Sequence, residues 1–203
     1  MTAREIASIL GVEDQLGEDI IEIPNANRSN FAHWLADFGY TKGVEVGTEY
    51  GIHALSLCKA NPNLKLVCID PYETYLEYID IRDQNLLDEA YEEAKERLAP
   101  YNAKIIKGFS SDWVDSFPDE SLDFVYLDGN HKLKYILEDL DAWTPKIKEG
   151  GIVSGHDYYQ PAFNHCDVIQ ALDIFTKANN ISPLFVVGKG RKVKYRNWFF
   201  VVE

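Results

Sequence analysis

Two short stretches, LDGNH at 127–131 and SGHDY at 154–158, hold the densest reactive side chains. Each places an acid and a histidine just past an apolar run, giving Asp128 with His131 and His156 with Asp157. An imidazole with its ordinary pKa near ~6.5 can take a proton at neutral pH. A carboxylate beside it can fix the ring's orientation. If LDFVYL (122–127) and GGIVSG (150–155) are adjacent parallel strands, about 5 Å apart, the four side chains converge on one point. The plainer alternative is that they hydrogen-bond backbone and fix two loops.

A third stretch, GVEVGTEYG at 43–51, is a strand running into a glycine turn that carries two acids. It is not a P-loop, since no GxxxxGK[ST] string occurs. Nor is it a dinucleotide fingerprint, because Glu49 stands where the second glycine must let the pyrophosphate approach. A carboxylate facing a diphosphate repels it by roughly 4 kcal/mol at close range in a partly buried site. A cationic ligand reverses that sign. S-adenosylmethionine, with its sulfonium and ammonium, is attracted by Glu45, and Gly47 and Gly51 let the loop pass close to it. The helix start near Gly51 to His53 can receive its carboxylate. Asp70, ending the next strand, can accept both ribose hydroxyls.

The elements that must position these groups alternate along the chain. Helices are expected near 3–10, 27–39, 51–60, 84–98, 132–143 and 165–179, with a short helical piece before FPDES. Strands are expected at 43–46, 64–69, 103–108, 122–127, 150–155, 184–188 and 197–202. The early runs are continuously apolar, as in a parallel sheet covered on both faces. The last two are too close for a helical crossover and should pair antiparallel. The expected fold is α/β, a doubly wound Rossmann-like, mostly parallel seven-stranded sheet ending in an antiparallel hairpin. Residues 1–40 would form a helical cap and 41–203 the main domain.

Composition sets the outer bounds. The chain has 203 residues, 46% of them hydrophobic, enough for a core without covalent staples. A net charge of −13 disfavours nucleic acid and anionic membrane as partners. Cys58, Cys68 and Cys166 read as free thiols of a reducing compartment. With no leader and no apolar run near 20 residues, a soluble cytoplasmic protein is expected.

VEVGTEYG, CIDPY, KGFSSDW, LDFVYLDGNH and GGIVSGHDY together resemble the class I S-adenosylmethionine-dependent methyltransferases. They are most similar to the small-molecule O-methyltransferase-like group with DGxH and GHDY, over roughly residues 25–203. The resemblance implies a first cofactor loop of Glu45, Gly47 and Gly51, with Asp70 on the ribose and Ser110 and Ser111 at adenine. His53 takes the place of a serine that helps hold the methionine carboxylate, and Asp128 borders cofactor and acceptor alike. In metal-dependent members, three positions that here hold Asp128, His156 and Asp157 bind a divalent cation. A histidine among them shifts the expectation from Mg²⁺ toward Mn²⁺, Fe²⁺ or Zn²⁺. His131 stands where catechol-type enzymes carry a lysine base. A metal-free route, with His131 or His156 taking the proton directly, fits the same residues.

The implied reaction is in-line methyl transfer to a small molecule, most simply at oxygen. The rivals are a cofactor-binding module without catalysis and a dinucleotide oxidoreductase. The partners expected are a small-molecule acceptor and a second copy of the chain in a homodimer. Weaker features are Tyr72, Tyr75 and Tyr78 on one helical face, Tyr158 and Tyr159 near an acceptor, and the basic turn at 188–196. IPNANR (23–28) is expected to fold over the site as a lid, with Arg28 its notable residue.

Overall fold

A computed structural model describes residues 1–75, 83–159, 166–188 and 196–203. Its chain order is α1 (Ala3–Leu10), β1 (Ile20–Ile23), α2 (Arg28–Asp37), β2 (Lys42–Val46), α3 (Ile52–Ala60) and β3 (Lys65–Asp70). Then come α4 (Gln84–Leu98), β4 (Ala103–Lys107), α5 (Ser110–Trp113), β5 (Leu122–Leu127) and α6 (Leu133–Trp143). The chain closes with β6 (Ile147–Gly155), α7 (Val168–Ala178), β7 (Leu184–Val187) and β8 (Trp198–Val201).

The strands form one sheet in the order β1-β7-β8-β6-β5-β2-β3-β4. All neighbours run parallel except β8, which is antiparallel to both β6 and β7. Thus the seven expected strands form and the closing hairpin is antiparallel. An eighth, β1, was not foreseen. Its four residues IIEI lie between polar stretches, too short a run to stand out, and it pairs with the edge of β7.

Sequence pattern explains the layering. β5 is buried at every residue and sits centrally, so both its faces need cover. One face meets a cluster built from α1, α2 and α3, with Ile6, Phe31 and Leu57 packing against Phe124 and Phe199. The other meets α6 and α7, where Trp143, Leu172 and Phe175 pack against Val125 and Phe200. Each such side chain contributes about 1.5–3 kcal/mol through burial. The residues expected to form an N-terminal cap therefore supply α1 and α2 to one core layer and β1 to the sheet.

Asp123, an acid inside the buried β5 run, is used structurally. It accepts the backbone N–H groups of Thr41 (2.6 Å) and Lys42 (2.8 Å), and pairs with Lys148 at 2.6 Å. The start of β2 is thereby clamped to β5. At the other end of these strands the ladder continues past the last strand residue. Gly47 donates to the Ile69 carbonyl (2.9 Å), Asp128 to that of Val46 (2.8 Å), and His156 to that of Leu127 (3.2 Å). Those bonds bring the ends of β2, β5 and β6 to one level.

Candidate active site

A cleft of about 1060 Å³ opens over these strand ends. Its wall draws on the loops after β2, β3, β4 and β5 and on the start of α2. Six carboxyl side chains line it, those of Glu49, Asp70, Glu73, Asp128, Glu138 and Asp139. Among the described residues Arg28 is the single lysine or arginine on that wall. The lining favours a cationic ligand over a diphosphate.

At the glycine turn, Gly47 adopts φ +84°, and an added Cβ would lie 2.1 Å from the Asp128 carbonyl oxygen. A side chain there is therefore excluded on both counts. Gly51 caps α3 in the left-handed region at φ +69° and packs under Ala94 of α4. It shapes the turn without lining the cleft. Glu45 also lies outside the wall, buried and bonded through Oε1 to His53 Nδ1 at 2.9 Å. Burial pushes the Glu45 carboxyl up to about 8, with Arg28 pulling the other way. Burial and then the charge of Arg28 drive His53 well below the usual imidazole value.

Glu45, expected to attract the ligand by its negative charge, is thus pushed by burial toward its protonated form, and its partner His53 is the residue that lines the cleft. His53 Nε2 and Thr48 Oγ1, both of residues on the wall, are buried without a hydrogen-bond partner. Asp70 accepts the N–H groups of Glu49 and Tyr72, each at 2.9 Å, and reaches the wall beside them. Burial raises its pKa while those backbone bonds oppose the rise.

The acid–histidine end does converge. His131 Nε2 lies 3.5 Å from Asp128 Oδ1 and 3.3 Å from Asp157 Oδ2. His156 Nδ1 lies 3.6 Å from Asp128 Oδ1 and 3.2 Å from Asp157 Oδ1. Of the four, Asp128 and His131 line the main cleft, while His156 is buried behind them. Burial opposes ionisation of Asp128, but the His131 hydrogen bond, Arg28 and His156 hold it well below the ordinary carboxylate range. Asp157 sits at φ +58°, a backbone region that Asp tolerates better than most side chains.

Of two further wall residues, Arg28 belongs to the segment 23–28 expected to fold over the site, and Asp139 falls outside the set expected from sequence. Arg28 donates through an Nη to Asp128 Oδ2 at 2.6 Å, reaching across from the start of α2. Asp139 accepts from the Ser110 hydroxyl at 2.6 Å, and burial pushes it up to about 6 against that bond. Helical spacing puts Asp139 on the same side of α6 as its buried Ile136, a signal that could have found it. Ser111 is exposed at the cleft mouth.

The tyrosine expectations divide. Residues 71–75 are not helical, and Tyr72 is buried with φ +48°, donating to the Glu49 carbonyl at 2.8 Å. Tyr75 lines the cleft edge-on to Phe109, with ring centroids 5.3 Å apart. Tyr78 lies outside the described residues. Tyr158 turns into the core beneath Arg196 instead of bordering the cleft. Arg196 pairs with Glu22 at 2.7 Å, and the rest of the basic turn (189–195) lies outside the described residues.

The sequence matches the profile of the methyltransferase domain family over residues 44–158, more than half of the chain. The chain belongs to that family. It is a class I S-adenosylmethionine-dependent methyltransferase. Among solved structures it is similar to an O-methyltransferase from Bacillus cereus in complex with SAH, at 13% identity and TM-score 0.63, covering 98% of this chain and 90% of that one. It is likewise similar to the O-methyltransferase TomG from Streptomyces achromogenes, described as involved in tomaymycin synthesis and in complex with SAM. That match has 18% identity and TM-score 0.59, covering 98% and 89% of the two chains. A precorrin-6y C5,15-methyltransferase from Geobacter metallireducens matches at 13% identity and TM-score 0.59, covering 86% and 87%. Both oxygen-directed and carbon-directed enzymes thus share this fold, which does not itself choose the acceptor atom. No curated protein matches the sequence significantly.

The methyltransferase's cleft fits the cofactor of its family. It is large enough for a nucleoside with an amino-acid tail, its wall is acidic, and buried polar atoms of His53 and Thr48 await partners. For a divalent metal the donor set differs from the expected one. Asp128, His131 and Asp157 each offer an atom within 4.8 Å of the others, so His131 takes the place given to His156.

Proposed function

We propose that this methyltransferase moves a methyl group to an oxygen of a small-molecule acceptor, with His131 as general base. The observation that carries this reading is His131 on the cleft wall, its Nε2 poised 3.3–3.5 Å from two carboxylates. Asp128 and Asp157 stabilise the imidazolium that forms when the ring takes the hydroxyl proton. His156, buried behind, sets the position of both carboxylates.

At the other end, His53, Thr48 and Asp70 would hold the cofactor, with Ser110 and Asp139 near its base. S-adenosylmethionine bound there supplies an electrophilic methyl on a sulfonium, which leaves as neutral thioether with the C–S electron pair. The chain's own work is alignment: a deprotonated oxygen must be held in line with that bond. A second reading has support in the Asp128, His131 and Asp157 donor cluster. A divalent cation held by those residues would lower the acceptor hydroxyl's pKa.

Titration with S-adenosylhomocysteine, followed by methyl transfer to a panel of phenols, catechols and hydroxy acids with and without EDTA, tests the proposal. Binding with product formation that His131→Ala abolishes supports it. Binding with no product from any hydroxylated acceptor would argue for another acceptor atom or a binding module. Activity lost in EDTA and restored by Mn²⁺ would favour the metal reading.

A further inference from the structure

We infer that Arg28 is the resident cation of the acceptor end, filling beside Asp128 the charge role a divalent ion would otherwise take. The inference rests on the reading of that end as the place where an acceptor oxygen becomes anionic. Arg28 occupies the first position of α2, after an Asn27 cap whose capping box with Asn30 fixes where the helix begins. A cation at a helix N-terminus opposes the helix dipole, so its placement calls for a compensating anion. Asp128 provides one at 2.6 Å, and the guanidinium carbon lies 5.2 Å over the Tyr126 ring.

Three features fit a cation built into the chain. Arg28 reaches across the fold to donate to Asp128 Oδ2 at 2.6 Å, so a positive charge already sits on that carboxylate. Arg28 lies on the cleft wall, where its Nε is buried without a hydrogen-bond partner and so is a donor to spare. No other lysine or arginine of the described residues reaches that wall. A fixed guanidinium next to the Asp128, His131 and Asp157 cluster repels an incoming divalent ion and stabilises an oxyanion in its stead.

The test needs no acceptor. Mn²⁺ is titrated into the ligand-free protein and followed by electron paramagnetic resonance for wild type, Arg28→Met, Arg28→Lys and Arg28→Met with Asp157→Asn. Wild type and Arg28→Lys are expected to bind Mn²⁺ weakly, Arg28→Met at least tenfold more tightly, and the added Asp157→Asn to cancel that gain. Circular dichroism and urea unfolding check folding across the set, and calorimetry with S-adenosylhomocysteine on wild type checks the functional reading. Wild type binding Mn²⁺ as tightly as Arg28→Met would overturn the inference. So would a gain that survives Asp157→Asn. Should Arg28→Met not fold, tight Mn²⁺ binding by wild type that Asp157→Asn abolishes overturns it, and its absence upholds it. Failure of S-adenosylhomocysteine to bind wild type would sink the functional reading and leave the metal result standing.

Discussion

Two acid–histidine groupings stand out among the described residues, and their environments give them opposite states. Glu45 and His53 are sealed away, so burial dominates and both are driven toward neutrality. Asp128 and Asp157 lie among His131, His156 and Arg28, and there partners outweigh burial enough to keep Asp128 charged. Chemically similar pairs become a neutral brace in one place and a polar reactive centre in the other. At Asp128 the His131 hydrogen bond and then the charge of Arg28 outweigh burial, whereas at Glu45 burial outweighs Arg28.

Four changes break or sharpen this contrast. The largest effect should come from His131→Ala, which should slow methyl transfer by about 10²–10⁴-fold while S-adenosylhomocysteine affinity in calorimetry stays within about twofold. Retention of activity would mean that the charged grouping is merely structural. Next is Gly47→Ala, which joins a strained φ to a clash with the Asp128 carbonyl. It should cost about 3 kcal/mol in urea unfolding, at the high end for backbone and overpacking effects.

Glu45→Gln probes the neutral brace. Because the folded carboxyl holds its proton up to about 8, the native state binds more protons than the unfolded one from about 4.5 to 8, and its stability falls as pH rises. His53, whose folded value is depressed, contributes the opposite slope, but only below about 6.5. Between pH ~6.5 and ~8 the wild type should therefore lose about 2 kcal/mol from this group, and Glu45→Gln should flatten that decline. A flat wild-type profile in that window would place a bare carboxylate at Glu45. The smallest effect is Ser110→Ala, expected to cost about 1 kcal/mol through the lost bond to Asp139, read as a lower urea midpoint.

Much of the architecture was legible because buried parallel strands leave unbroken apolar runs. LDFVYL and GGIVSG lie in strands β5 and β6, with Asp128 and His156 just beyond their ends. The site was legible where chemistry sits at a strand end and illegible where it crosses the fold. Arg28 meets Asp128 over a hundred positions of chain, a distance that no local pattern encodes. The directions in which Glu45 and Gly51 face are illegible for a related reason. Sequence names the residues of a turn but not the side they face, and burial turned one toward His53 and the other toward α4. The tyrosine spacing of PYETYLEYID (71–80) suggests one helical face, yet in its described part, 71–75, the left-handed backbone at Tyr72 is not helical.

The position of Arg28 has a practical consequence for anyone trimming the protein. The segment recognised by family profile begins at residue 44, sixteen residues after this arginine. A fragment cut to the family boundary would retain the glycine turn, Asp128 and both histidines while leaving Asp128 without its counterion.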